Sequence, residues 1–131
     1  MIYEYIALAA LGFGAFAGLS ALLNPDGIAA TLRLQATPEK PGGYAEFRAT
    51  FGGVFLMIHL TAIAIILHTP PIISVFVALP IAAAWLGAAI ARLLSMVVDK
   101  SKNGEGGNNR YWVILELVVF AMIASIALQI L

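Results

Sequence analysis

The stretch Trp85-Leu-Gly-Ala-Ala-Ile-Ala-Arg92-Leu-Leu-Ser95-Met-Val-Val-Asp99 closes a long apolar run with an arginine, a serine and an aspartate. At about 100° per residue these three side chains share one helical face. An unbroken helix holds Arg92 roughly 10 Å inside the last polar position, at 1.5 Å of rise per residue. A cation at that depth in an apolar segment requires a partner. The rest of the chain has to supply one.

Outward from this stretch, apolar runs long enough to cross a hydrocarbon core of about 30 Å occupy residues 2–23, 45–67, 72–98 and 111–131. The chain of 131 residues is 62% hydrophobic and 11% charged, with a mean hydropathy of +0.97. A soluble domain of this length has nowhere to hide so much apolar surface, which makes the bilayer the expected solvent. The reading is an all-α antiparallel bundle of four transmembrane helices in one integral membrane domain. No Lys or Arg precedes the first run, so Ile2 to Leu23 reads as a retained helix rather than a secretory signal.

The connections are polar and short. Asn24-Pro-Asp-Gly27 stops the first helix, and residues 28–35 form a brief amphipathic piece placed as an interfacial helix between helices one and two. His68-Thr-Pro-Pro71 allows only an antiparallel hairpin, whereas residues 99–110 make a loop rich in Gly and Asn. Arg33, Lys40, Arg48, Lys100, Lys102 and Arg110 all belong to the first and third loops or their junctions. The positive-inside rule therefore puts loops 24–44 and 99–110 in the cytoplasm and both termini outside.

Small residues fit helix contacts. Gly14 and Gly18 form a GxxxG pair, with Gly12 beside them, and Gly52-Gly53 and Gly87 offer close approach on helices two and three. Contacts inside one protomer account for them more readily than a dedicated dimer interface. Pro80 lies within helix three and frees the carbonyl of Phe76, which predicts a bend.

Glu46 and Arg48 on helix two, Arg92 and Asp99 on helix three and Glu116 on helix four all project into the half nearest the basic loops. Two cations and three anions at similar depth predict a charge cluster between these helices, with Arg92 bridging Glu46 or Glu116 through its planar fork and Ser95 beside it. One carboxylate is left over. The cluster reads first as a staple fixing helix register; the sharper reading is a headgroup, quinone or small-anion site, or a proton-handling carboxylate.

His59 is a secondary polar position in the middle of helix two. It and His68 are nine residues apart and face opposite sides of a helix, so they cannot share a metal or haem. A hydrogen-bonded core histidine is the expected role of His59. Trp85 reads as a packing aromatic, and Tyr3, Tyr5, Tyr111 and Trp112 as belt residues. Cysteine is absent, and no HExxH, GxSxG, Walker-type or GxGxxG pattern occurs. No metal site and no cofactor are therefore expected. The balanced charge, seven basic against seven acidic residues, offers nothing to nucleic acid. Partners are expected to be membrane lipids, a second copy of the chain or a larger membrane complex.

The segments Gly42-Gly43-Tyr44-Ala45-Glu46-Phe47-Arg48-Ala49-Thr50-Phe51-Gly52-Gly53 and Ala91-Arg92-Leu93-Leu94-Ser95-Met-Val-Val-Asp99, followed by a helix carrying Glu116, resemble the small bacterial membrane proteins catalogued as domain of unknown function 4345. The resemblance extends over essentially the whole chain, including Asn24-Pro25. It implies a four-helix protein of the bacterial inner membrane, with Glu46, Arg48, Arg92, Asp99 and Glu116 matching the family pattern, and it brings no activity. Three functions follow as expectations: a non-enzymatic membrane module or accessory subunit; a lipid-, quinone- or isoprenoid-binding protein or enzyme using the polar cluster; and a small dimeric proton-coupled transporter.

Overall fold

A computed structural model describes residues 1–35, 42–98 and 109–131. Helix is the only regular structure among the described residues. The elements are α1 (Ile2–Leu23), α2 (Pro25–Thr31), α3 (Gly43–Phe47), a π-helical stretch Arg48–Val54, α4 (Phe55–His68), α5 (Pro71–Val98) and α6 (Asn109–Ala124), the last ending in a 3₁₀ turn Ser125–Gln129. Among the described residues, four continuous helical stretches are long and apolar enough to cross a membrane: Ile2–Leu23, Gly43–His68, Pro71–Val98 and Asn109–Gln129. The expected all-α, multi-pass architecture is the one observed.

Its inside-out character identifies the solvent. Large apolar side chains face outward, with Leu23, Phe76 and Val98 each at least 70% exposed. Polar groups point inward, and His59 and Glu116 are among the most buried side chains. In water that distribution would be ruinous; in lipid it is the favourable one.

The main core is built of small and branched residues: Ala7, Ala10 and Leu11 of α1, Ala62 and Ile66 of α4, Ala78, Ile81 and Ala82 of α5, and Val119, Ile123 and Ile126 near the end of the chain. Alanine at the crossings lets the backbones approach, which is how packing is gained where lipid is as apolar as leucine. Glycine carries this furthest between α1 and the second span. A Cβ added at Gly18 would stand 2.5 Å from the backbone nitrogen of Leu56, and one at Gly52 would stand 3.0 Å from Cα of Leu22. One at Gly14 would drive into the ring of His59. Gly14 and Gly18 are thus consumed by contacts within the protomer, as expected; around Gly12 and Gly87 the space is open.

Between α1 and α2 the chain turns on Asn24. Its side chain accepts a hydrogen bond from the Gly27 amide at 3.2 Å, and Pro25 occupies the first helical turn, where its missing N–H costs nothing. The short helix therefore starts at Pro25 and ends at Thr31, not at residues 28–35. What stops α1 also starts α2. At the far end Arg33 adopts φ 60°, the left-handed region. The amides of Arg33 and Leu34 then bond the carbonyls of Ala30 (3.0 Å) and Ala29 (2.8 Å), a Schellman closure with arginine where glycine is usual.

Only Thr69 and Pro70 separate α4 from α5, giving the predicted hairpin. Thr69 is extended, as a residue before proline prefers, and its hydroxyl donates to the Ile65 carbonyl at 2.8 Å. Helix α5 runs without interruption through Pro80. It pairs most extensively with α6, while α1 packs along the second span.

Candidate functional site

Arg92 on α5 and Glu116 on α6 form the expected intramembrane ion pair. The Arg92 Nε donates to Glu116 Oε1 at 3.0 Å and Oε2 at 3.1 Å, and Nη2 donates to Oε1 at 2.7 Å. Trp112, one turn before Glu116 on α6, lies under the cation, with Arg92 Cζ 5.7 Å from its ring centroid. The Glu116 side chain is 5% exposed and that of Arg92 27%. The carboxylate is sealed inside while the guanidinium lies at the edge. This is the planar, multiply bonded arrangement that an arginine can make and a lysine cannot.

Among the described residues, Glu46 and Arg48 form no ion pair with Arg92 or Glu116. Arg48 donates from Nε to the carbonyl of Leu22 at 3.2 Å, placing a cation at the C-terminal end of α1. Glu46 is exposed and borders a hollow lined also by Ala29, Leu34, Tyr44 and Phe47. Arg92 therefore pairs with Glu116 and not with Glu46. Ser95 is half-buried and has an interaction of its own; Asp99 lies outside the described residues. The separation has a physical origin. Gly18 and Gly52 draw α1 and the second span together, so α3 and the π-helical stretch pack on α1 and α2 while α5 and α6 pair with each other.

His59 sits 1% exposed in the middle of the second span. Its Nδ1 is 2.7 Å from the Phe55 carbonyl oxygen, and the Trp85 indole donates to its Nε2 at 3.2 Å. A carbonyl only accepts and an indole N–H only donates, so the proton belongs on Nδ1 and the lone pair on Nε2. Rings enclose the pair: Phe55 is 4.5 Å from the His59 ring centroid and 5.5 Å from that of Trp85, and Phe13 is 6.2 Å from Trp85. The core role expected of His59 is the observed one. Reading Trp85 as packing alone missed its hydrogen bond; the available signal was a donor-only indole well inside an apolar run, which needs an acceptor.

A second unanticipated contact joins the two basic loops. Arg33 Nη2 donates to Asn109 Oδ1 at 2.6 Å, tying the end of α2 to the first turn of α6. No sequence pattern marks a pairing across 76 residues.

Compared with known proteins, the chain matches no protein-family model, no curated protein and no solved structure.

Proposed function

We propose that this chain is a small bacterial inner-membrane protein, of the kind catalogued as domain of unknown function 4345, that serves as a non-enzymatic module or accessory subunit. Its basic loops face the cytoplasm and both ends of the described chain face outward. The observation that carries this reading is the closed Arg92–Glu116 pair, in which one carboxylate takes three hydrogen bonds from one guanidinium. Hydrocarbon gives two apolar helices little reason to choose one register over another, whereas a buried ion pair allows only one. The mid-membrane histidine is occupied in the same way, with both ring nitrogens engaged by Phe55 and Trp85. Arg92, Glu116 and His59 are thus each spent on partners within the bundle, which supports a scaffold over a site.

Native mass spectrometry of the gently extracted protein, run beside Arg92→Gln and Glu116→Gln, tests this. The expected result is the same set of bound masses on all three, with lower thermal stability in the variants. A discrete mass on the wild type that both variants lose would replace the scaffold reading with a ligand site at the pair.

A further inference from the structure

A second polar feature, built on α2 and α3 and not on the Arg92–Glu116 pair, goes beyond the scaffold reading. A hollow of ≈ 580 Å³ opens between α2 and the start of the second span, lined by Ala29, Leu34, Tyr44, Glu46, Phe47 and Phe51, among others. That volume falls within the roughly 300–1,000 Å³ of small-molecule sites. Most of its wall is apolar. Phe47 and Phe51 stack with centroids 4.9 Å apart at 27°; Phe47 is buried at 8% exposure while Phe51 stays 44% exposed. Glu46 lies three residues into the span that begins at Gly43, about 5 Å along the helix.

Glu46 puts a carboxylate at this rim, amid the basic residues of the loops around it. Glu46 forms no ion pair among the described residues. Asp26, in the first turn of α2, lies near the Tyr44 side chain, which brings a second carboxylate to the same corner. Arg48, two residues further along, is held on the Leu22 carbonyl. A carboxylate that no described cation pairs, at the rim of an aromatic, apolar hollow in a membrane-spanning helix, calls for a cation that brings its own apolar tail.

We infer that this hollow binds one bilayer phospholipid whose head ends in a primary ammonium, phosphatidylethanolamine, with the ammonium on Glu46 and an acyl chain along Phe47 and Phe51. Charge complementarity selects the head, and the apolar wall selects the tail. The uncharged rim that Glu46→Gln leaves would lose the charge-assisted hydrogen bond, a loss of about tenfold in occupancy.

The test is native mass spectrometry of the full chain released from nanodiscs of phosphatidylethanolamine and phosphatidylglycerol in equal parts. The expected result is one phosphatidylethanolamine per chain on the wild type, about tenfold less on Glu46→Gln and none on Thr50→Trp, which fills the hollow from an exposed lining position. Glu116→Gln, at the unrelated ion pair, keeps the lipid and serves as the control. Equal occupancy by the two lipids, an adduct unchanged in Glu46→Gln or Thr50→Trp, or no adduct on a folded wild type would each overturn the assignment.

Discussion

The Trp85 indole donates to Nε2 of His59 at 3.2 Å across the interior of the bundle, joining α5 to the second span. Because Nδ1 of the same ring is engaged by Phe55 at 2.7 Å, this one contact fixes the tautomer and orientation of the imidazole. Trp85→Phe would keep most of the ring packing and leave the Nε2 lone pair buried without a donor. The expected cost is about 1 kcal/mol, the scale of side-chain hydrogen bonds within membrane bundles. Pairing Trp85→Phe with His59→Leu removes both partners, so the double variant is expected to melt above the sum of the two singles. Thermal unfolding in detergent across the four proteins measures the coupling; strict additivity would mean that the hydrogen bond contributes nothing.

Glycine requirements separate by contact. At Gly18 an added methyl meets the Leu56 backbone, and at Gly14 it meets a histidine ring already tethered at both nitrogens, so neither neighbour yields easily. Gly18→Ala and Gly14→Ala are each expected to cost about 1–3 kcal/mol by overpacking. Gly12→Ala and Gly87→Ala meet nothing within 4 Å and should match or slightly exceed the wild type, since alanine is the better helix former. Melting temperatures of the four variants give the ranking directly.

What the sequence could reveal follows from what lipid enforces. Backbone groups must be satisfied inside each span, so length and hydropathy were enough to place four helices to within about two residues at each start. The need of Arg92 for a carboxylate was equally legible, because an unpaired cation at that depth is costly. The choice between Glu46 and Glu116 was not, since it depends on how the helices are rotated about their axes. The π-helical turns of residues 48–54 change the angular step in the first half of the second span, so faces reckoned at 100° per residue from Glu46 do not carry through to His59. From sequence Asn24-Pro25 signals only a stop, because a cap and the next helix start use the same residues.

The ion pair makes a sign-specific prediction. Glu116→Leu alone strands a guanidinium, and Arg92→Met alone strands a carboxylate that is 5% exposed. Each single change is expected to cost about 3 kcal/mol, or roughly 10 °C in melting temperature for a chain of this size. Arg92→Met with Glu116→Leu removes both charges and should recover most of that loss. A double variant no better than the worse single would show that Trp112 or other neighbours, not the pair, set the stability of the α5–α6 contact.

Arg33 combines two effects that substitution can split. Its φ of 60° disfavours any residue with a Cβ, while its guanidinium holds Asn109 at 2.6 Å. Arg33→Ala keeps the strain and loses the bond; Arg33→Gly loses both. The glycine variant should therefore be the more stable of the two by about 1 kcal/mol. Asn109→Ala, which removes only the partner, reports the bond separately in the same thermal assay. If alanine proved equal to glycine, the left-handed turn at the end of α2 would not be a source of strain.

Orientation can be tested without disturbing any of these contacts, because the chain has no cysteine of its own. Six of the seven basic residues lie at the ends carrying the first and third loops, a bias that by the positive-inside rule predicts those ends on the cytoplasmic side. Gln35→Cys, His68→Cys and Leu131→Cys place single thiols at exposed positions near the first loop, near the second loop and at the last residue. A membrane-impermeant maleimide applied to intact bacterial cells expressing each variant should label His68→Cys and Leu131→Cys, and reach Gln35→Cys only after the membrane is opened. The inverse pattern would place the basic loops outside. Partial labelling of all three in intact cells would mean that the chain inserts both ways, and six basic residues on one side would then be too weak a bias for a protein this small.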